Sequence, residues 1–179
     1  SDLLTLNINL PVPAELIDGD LSYHLKGQLT DLDDLENNSA DLSIALKNVT
    51  GEVNEIWIQE LQWQQNFIIS KGNIKTVDSK KNNLTIDLIE IASPIKNLSL
   101  KTNINLFNKE IILVAENIGG NILGGKFYIP DTQWPVSTKH SVNVQLTNID
   151  LEKVLELDKK QGIVVTGKIS GLLPTLFDG

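Results

Sequence analysis

Apolar and polar residues alternate with a period of two through most of this chain, and that alternation restricts its fold more than any other feature. Leu4, Leu6, Ile8 and Leu10 alternate with Thr5, Asn7 and Asn9. The pattern returns in Leu21, Tyr23, Leu25 and Leu29, in Leu42, Ile44 and Leu46, and in Leu84, Ile86 and Leu88. It returns again in Leu98, Leu100, Ile104 and Leu106, and in Val142, Val144 and Leu146. Successive side chains of a strand point to opposite faces, so each segment predicts a strand with one dry and one wet face. Turn-forming runs separate the segments: Asp18-Gly19-Asp20, Glu36-Asn37-Asn38-Ser39, Lys71-Gly72-Asn73, Lys80-Lys81-Asn82-Asn83, Asn108-Lys109 and Gly119-Gly120-Asn121. The Asn108-Lys109 pair predicts one hairpin over residues 98 to 116. The fold class is therefore all-β, an antiparallel meander of ten or more strands. One segment breaks the period: Leu151, Val154, Leu155 and Leu157 share a helical face, with Asp150 or Asn148 as N-cap and Gly162 past the end. This predicts one short helix near residues 150–158; single helical turns are expected at Pro13 to Ile17 and Asp31 to Glu36.

So much dry face needs a cover: a second sheet, the same sheet curled on itself as a groove or partly open barrel, or a groove occupied by something other than protein. The dry residues are mostly Leu and Ile, and aromatic residues make up 5% of the chain, so such a groove is aliphatic. Leu98, Leu100, Ile104, Leu106, Val142, Val144 and Leu146 share one parity on their strands and are the expected lining. Thr102 shares that parity although it is polar. At 179 residues, with 41% hydrophobic and 21% charged, the chain is expected to form a single β-rich domain over 1–179.

Charge and residue types exclude several functions. The net charge is −8 and all 15 basic residues are Lys, so no basic stripe or guanidinium fork is offered to a nucleic acid. The absence of Cys rules out disulfides, thiolate metal sites and cysteine nucleophiles. His24 and His140 are read as ordinary strand or surface residues, and no metal or other cofactor is expected. The acidic stretch Asp31-Leu32-Asp33-Asp34-Leu35-Glu36-Asn37 lacks the glycine of a calcium loop and is read as a solvated turn. No serine sits in a nucleophile elbow, and Gly119 to Gly125 is not a phosphate loop. Trp57, Leu61 and Trp63 are read as one apolar face, with sugar stacking as the alternative. The sequons at Asn48, Asn83 and Asn97 carry no weight in so Asn-rich a chain.

The C-terminal third has a recognisable layout. Gly119-Gly120 is followed by Gly124-Gly125 opening a strand, Asn148-Ile149-Asp150-Leu151-Glu152-Lys153-Val154-Leu155-Glu156-Leu157, Gln161-Gly162, Gly167-Lys168-Ile169-Ser170-Gly171 and Leu172-Leu173-Pro174. Over about residues 119 to 176 this resembles the C-terminal domain of YdbH-type proteins, an AsmA-like family of Gram-negative envelopes. The resemblance implies a long periplasmic protein, anchored in the inner membrane by an N-terminal helix, whose rolled sheet carries phospholipids in an apolar groove to the outer membrane. It further implies a small outer-membrane lipoprotein as a partner of the C-terminal region. An older label for the family, dicarboxylate transport, has no support here, since a dicarboxylate site has no evident counter-charge.

The chain opens on Ser1 and contains no Met, so it is expected to be a piece of a longer sheet. Three functions follow in order: a non-enzymatic, lipid-conducting segment of an envelope bridge, a structural or adhesive β-module that binds proteins, and a carbohydrate-binding or carbohydrate-active β-domain using Trp57, Trp63 or Trp134. The first needs an open apolar concavity, the second a filled core, the third exposed aromatics beside paired carboxylates. Strand edges at Leu3 to Leu10 and at Gly162 to Ile169, or the segment after it, are the expected sites for added strands.

Overall fold

The computed structural model describes residues 13–28, 37, 39–77, 82–107, 110–134, 140–158 and 164–177. Eleven strands form one sheet in which every pairing is antiparallel. They are β1 (Ala14–Gln28), β2 (Ser39–Val53), β3 (Ile56–Ser70), β4 (Asn73–Thr76), β5 (Asn83–Glu90), β6 (Ile95–Phe107), β7 (Glu110–Ile122), β8 (Gly125–Ile129), β9 (Thr132–Trp134), β10 (His140–Asp150) and β11 (Lys168–Phe177). The order is β1-β2-β3-β4-β6-β7-β8-β10-β11. The short strands β4 and β5 share the place between β3 and β6, and β8 and β9 both pair with β7. Among the described residues β1 and β11 are the two edges, and the sheet is not a closed barrel. The helix α1 (Leu151–Asp158) follows β10, and the Asp150 carboxylate accepts from the Glu152 N–H at 3.0 Å as its cap.

The expected meander and single helix are present, and the 98–116 hairpin closes at Phe107 opposite Glu110. Three other two-residue hairpin turns have both central residues at positive φ: Asn54-Glu55, Lys71-Gly72 and Leu123-Gly124. This is the type I′ geometry that matches strand twist.

Several expected elements fall elsewhere. Residues 14–17 are strand rather than a helical turn, and Asp18-Gly19-Asp20 and Gly119-Gly120-Asn121 lie inside β1 and β7 rather than at their ends. Of the two places expected for the last strand, the later one holds it: β11 is Lys168–Phe177, and the Gly167 carbonyl just before it accepts the Leu151 N–H at 3.0 Å. The first expected strand, Leu3 to Leu10, and the turn at Asp31 to Glu36 lie outside the described residues.

What shapes the sheet is a seam of inserted residues crossing it near one end. Asn48, Glu60, Asn97, Asn117 and Asn148 sit inside β2, β3, β6, β7 and β10 with φ between 50° and 57°, and Gly19 takes φ 141° in β1. Asn tolerates this left-handed region better than other side-chain-bearing residues do. Each insertion flips the alternation by one residue, so apolar neighbours three apart stay on one face: Leu46 and Val49, Ile58 and Leu61, Ile95 and Leu98, Ala115 and Ile118, Leu146 and Ile149. Insertions on β2 and β3 face one another, so the pairs Leu46–Trp63 and Gly51–Ile58 keep a common register. Such bulges bend a strand and increase its twist, and a row of them curls the whole sheet.

Candidate functional site

Directly opposed residues of an antiparallel pair share a face. Following the registers, Leu100 stands in one row with Leu84, Trp63, Leu46 and Leu21, and Ile104 in another with Leu113 and Trp134. Leu106 joins Ile74, Ile69 and Ala40, while Leu98 is opposite Ile86. Val142, Val144 and Leu146 face Thr175, Leu173 and Gly171 on one side, and Leu146 faces Phe127 on the other. The registers therefore bring all seven expected lining residues to one face, which we call the inner face. Val142 is buried; the other six are half-buried. Among the described residues this face holds the nine buried hydrophobic ones, Val142 included, with Phe67, Ile69, Ile86, Ile118 and Ile149 among the rest, and no second sheet covers them.

Several polar groups on this face are paired internally, while the buried hydroxyl of Thr132, opposite Ala115, has no hydrogen-bond partner among the described residues. β3 pairs β4 through Phe67–Ser70 and β5 through Trp57–Gln64, which leaves a break opposite Gln65 and Asn66. Gln65, fully buried, bridges that break: its Nε2 donates to the Thr76 hydroxyl at 2.9 Å and the Thr102 carbonyl at 3.1 Å, and its Oε1 accepts from the Thr102 hydroxyl at 2.6 Å. The Thr76 hydroxyl donates to the Ile104 carbonyl and accepts from the Ile104 N–H, while the Trp63 indole N–H donates to Thr102 at 3.2 Å. Thr102 thus keeps the apolar parity because its hydroxyl is spent on Gln65 and Trp63. Asn82, also fully buried, accepts from the Asn66 N–H at 2.9 Å and donates to the Val77 carbonyl at 2.9 Å. In place of the missing strand, side chains carry the hydrogen bonds between β3 and β6.

Trp57, Leu61 and Trp63 do not form one face. The insertion at Glu60 separates them: Trp63 is opposite Leu46 on the inner face, whereas Trp57 is opposite Glu52 and Glu90 on the outer one. Three-residue steps in the apolar pattern, each ending in Asn followed by an aliphatic residue in β2, β6, β7 and β10, are the signal by which the seam could have been found.

These features define a class: an open, all-antiparallel sheet with a largely aliphatic inner face. A family model described as "YdbH-like: Intermembrane phospholipid transport protein YdbH" matches residues 3–179. The chain belongs to the YdbH-like family of intermembrane phospholipid transport proteins, and the match extends well beyond the 119–176 segment that carries the sequence resemblance. No curated protein and no solved structure gives a significant match to the chain. Among the described residues, no helix is long and apolar enough to cross a membrane.

Proposed function

We propose that this sheet is a non-enzymatic segment of a periplasm-spanning bridge that shields phospholipid acyl chains on its inner face between the inner and outer membranes. The observation that carries the reading is one largely apolar face, with Leu21, Leu46, Trp63, Leu84 and Leu100 in a row across β1 to β6 and Phe127, Leu146, Val144 and Leu173 on the same face across β8 to β11, within a family of phospholipid transport proteins. Transfer of a methylene from water to such a face is worth about 0.8 kcal/mol, so two sixteen-carbon chains represent on the order of 20 kcal/mol without any chemistry. Leu98, Leu100, Ile104, Leu106, Val142, Val144 and Leu146 are the proposed lining. The parent protein is anchored in the inner membrane, and strands of the parent chain or of a small outer-membrane lipoprotein extend the sheet from β11, which among the described residues pairs β10 alone. Native mass spectrometry of the purified chain, followed by solvent extraction and lipid analysis, tests the reading. Copurified diacyl phospholipid is the expected result; a lipid-free protein that also fails to take up added phospholipid overturns it.

A further inference from the structure

The rim at which β5, β7 and β10 end and β6, β8 and β11 begin holds a cleft of about 780 Å³, between the turn at Ile91–Pro94, the β7–β8 turn and α1. Lys96 of β6, Lys126 of β8, Lys153 of α1 and Lys168 of β11 line it, with Glu156 as a neighbouring carboxylate. Four of the chain's 15 lysines thus gather at one place in a molecule of net charge −8. Toward β1 the same rim is acidic: Glu15 is opposite Glu52, Trp57 lies between Glu52 and Glu90, and Glu55 occupies the β2–β3 turn.

The registers put this basic patch on the outer face. Lys126 adjoins the inner-face Phe127, and Lys168 adjoins Ile169, which is opposite the buried Ile149. Lys96 and Lys126 are both opposite Asn121, so they share one cross-strand row, two strands or about 10 Å apart. A Cβ on Gly124 would lie 3.4 Å from the Lys153 Nζ, so α1 lays its lysine along the β7–β8 turn. All four lysines are exposed. Aliphatic side chains stand among them: Leu157 lines the cleft and is exposed, Leu123 lines it from the turn, and Ile91 is exposed where the β5–β6 turn begins.

A single bound anion would call for ammonium groups closed on one point. Exposed lysines spread over several strands, with aliphatic tips between them, suit instead a surface of many phosphates above an apolar layer. We infer that this rim, from β6 to β11, docks on the surface of an anionic phospholipid membrane through the outer face, while the acidic stretch toward β1 is held off it. The inference stands apart from the proposed acyl-chain groove, which lies on the other face.

The 179-residue chain is tested by flotation with vesicles of phosphatidylcholine alone and of equimolar phosphatidylcholine and phosphatidylglycerol. Binding to the mixed vesicles, weakened by salt and absent with phosphatidylcholine alone, is the expected result. A lysine near an anionic surface is worth about 1 kcal/mol, or about fivefold in affinity, so K96Q/K126Q/K168Q should weaken binding about a hundredfold. K26Q/K47Q/K101Q removes the same charge from exposed outer-face positions away from the cleft and should change binding less than about threefold, because those positions lie beyond the screening length of a docked surface. Hydrogen exchange should show protection by the mixed vesicles at 92–96, 122–126 and 153–157 and none at 15–20 or 52–55. Equal binding to both kinds of vesicle, equal losses in the two triple variants, or protection at the acidic stretch would each overturn the inference. Binding of polyglutamate without binding of the mixed vesicles would also overturn it, in favour of an acidic protein partner.

Discussion

The middle of this sheet and its two edges present the same aliphatic inner face to different amounts of water. Along the row that begins at β1, Tyr23 is 60% exposed, Ile44 is half-buried and Gln65 is fully buried. On the other side, Leu173 and Ile169 of β11 are 53% and 45% exposed, opposite Val144 and the buried Ile149 of β10. Composition is not what differs, since Leu21, Leu25 and Leu173 are as apolar as Ile69 or Ile86. Burial here follows position in the strand order: a strand flanked on both sides has neighbouring side chains on both, and an edge strand on one.

A carboxylate placed on the inner face gives the sharpest test. Ile104→Asp puts an unpaired charge beside the Gln65–Thr76–Thr102 network and is expected to cost about 3 kcal/mol or more, enough to unfold a marginal domain. Val144→Asp, one strand from the edge, should cost less because water reaches it, and should lose lipid while remaining folded. Urea unfolding with lipid analysis measures both. Equal, small effects would remove the distinction between centre and edge. Full stability with full lipid binding in both variants would place these residues outside the groove.

Removing the bridge at the break between β4 and β5 comes next. Gln65→Ala leaves the Thr102 carbonyl, the Thr102 hydroxyl and the Thr76 hydroxyl short of partners in a buried place, at about 1–3 kcal/mol. Hydrogen exchange should then rise at residues 102–105 of β6 and stay unchanged in β10. A uniform rise across the sheet would mean that the centre has no special hold on the curl.

The seam is expected to respond in both directions. Asn117→Val asks a β-branched residue to hold φ near 54° and should cost about 1–2 kcal/mol. Glu60→Gly relieves the same conformation at φ 55° and should be neutral or stabilising by up to about 1 kcal/mol. If both variants destabilise alike by thermal unfolding, backbone conformation is not what those positions contribute.

The alternation made the class of fold readable because a period of two is set locally by each strand. Leu98 to Leu106 and Val142 to Leu146 could be assigned a common parity for the same reason, and the registers bear that parity out across separate strands. The seam was equally present in the sequence, as Asn97-Leu98 three residues past Ile95 and Asn117-Ile118 three past Ala115. It was hidden because Asn inside a strand pattern reads as a turn or a chance sequon, and that is also why Trp57 was assigned to the wrong face. The Gln65 bridge and the lysine cleft were not readable at all. Each depends on which strand lies opposite which, and no local window contains Gln65 with Thr102 or Lys96 with Lys168.

The smallest effect on stability is expected at the edges. Tyr23→Lys and Leu173→Lys replace inner-face residues that are already more than half exposed, so each should change unfolding free energy by less than about 0.5 kcal/mol. Their effect belongs to association. Among the described residues β1 and β11 are the sheet's edges; unpaired N–H and C=O groups along an edge can recruit strands, and lysine on an edge opposes that recruitment through charge and solvation. The net charge of −8 keeps copies apart at low salt, while at physiological ionic strength a Debye length of about 8 Å screens most of that repulsion. Light scattering at two salt concentrations should therefore show the unmodified chain pairing at high salt and high protein concentration. Leu173→Lys should reduce that pairing, and a strand-forming peptide added to the chain should protect the amides of 168–176. A loss of more than about 2 kcal/mol in either lysine variant would show that the edge faces are covered in solution. A strict monomer at both salts, with no protection by the peptide, would show that the β11 edge is closed.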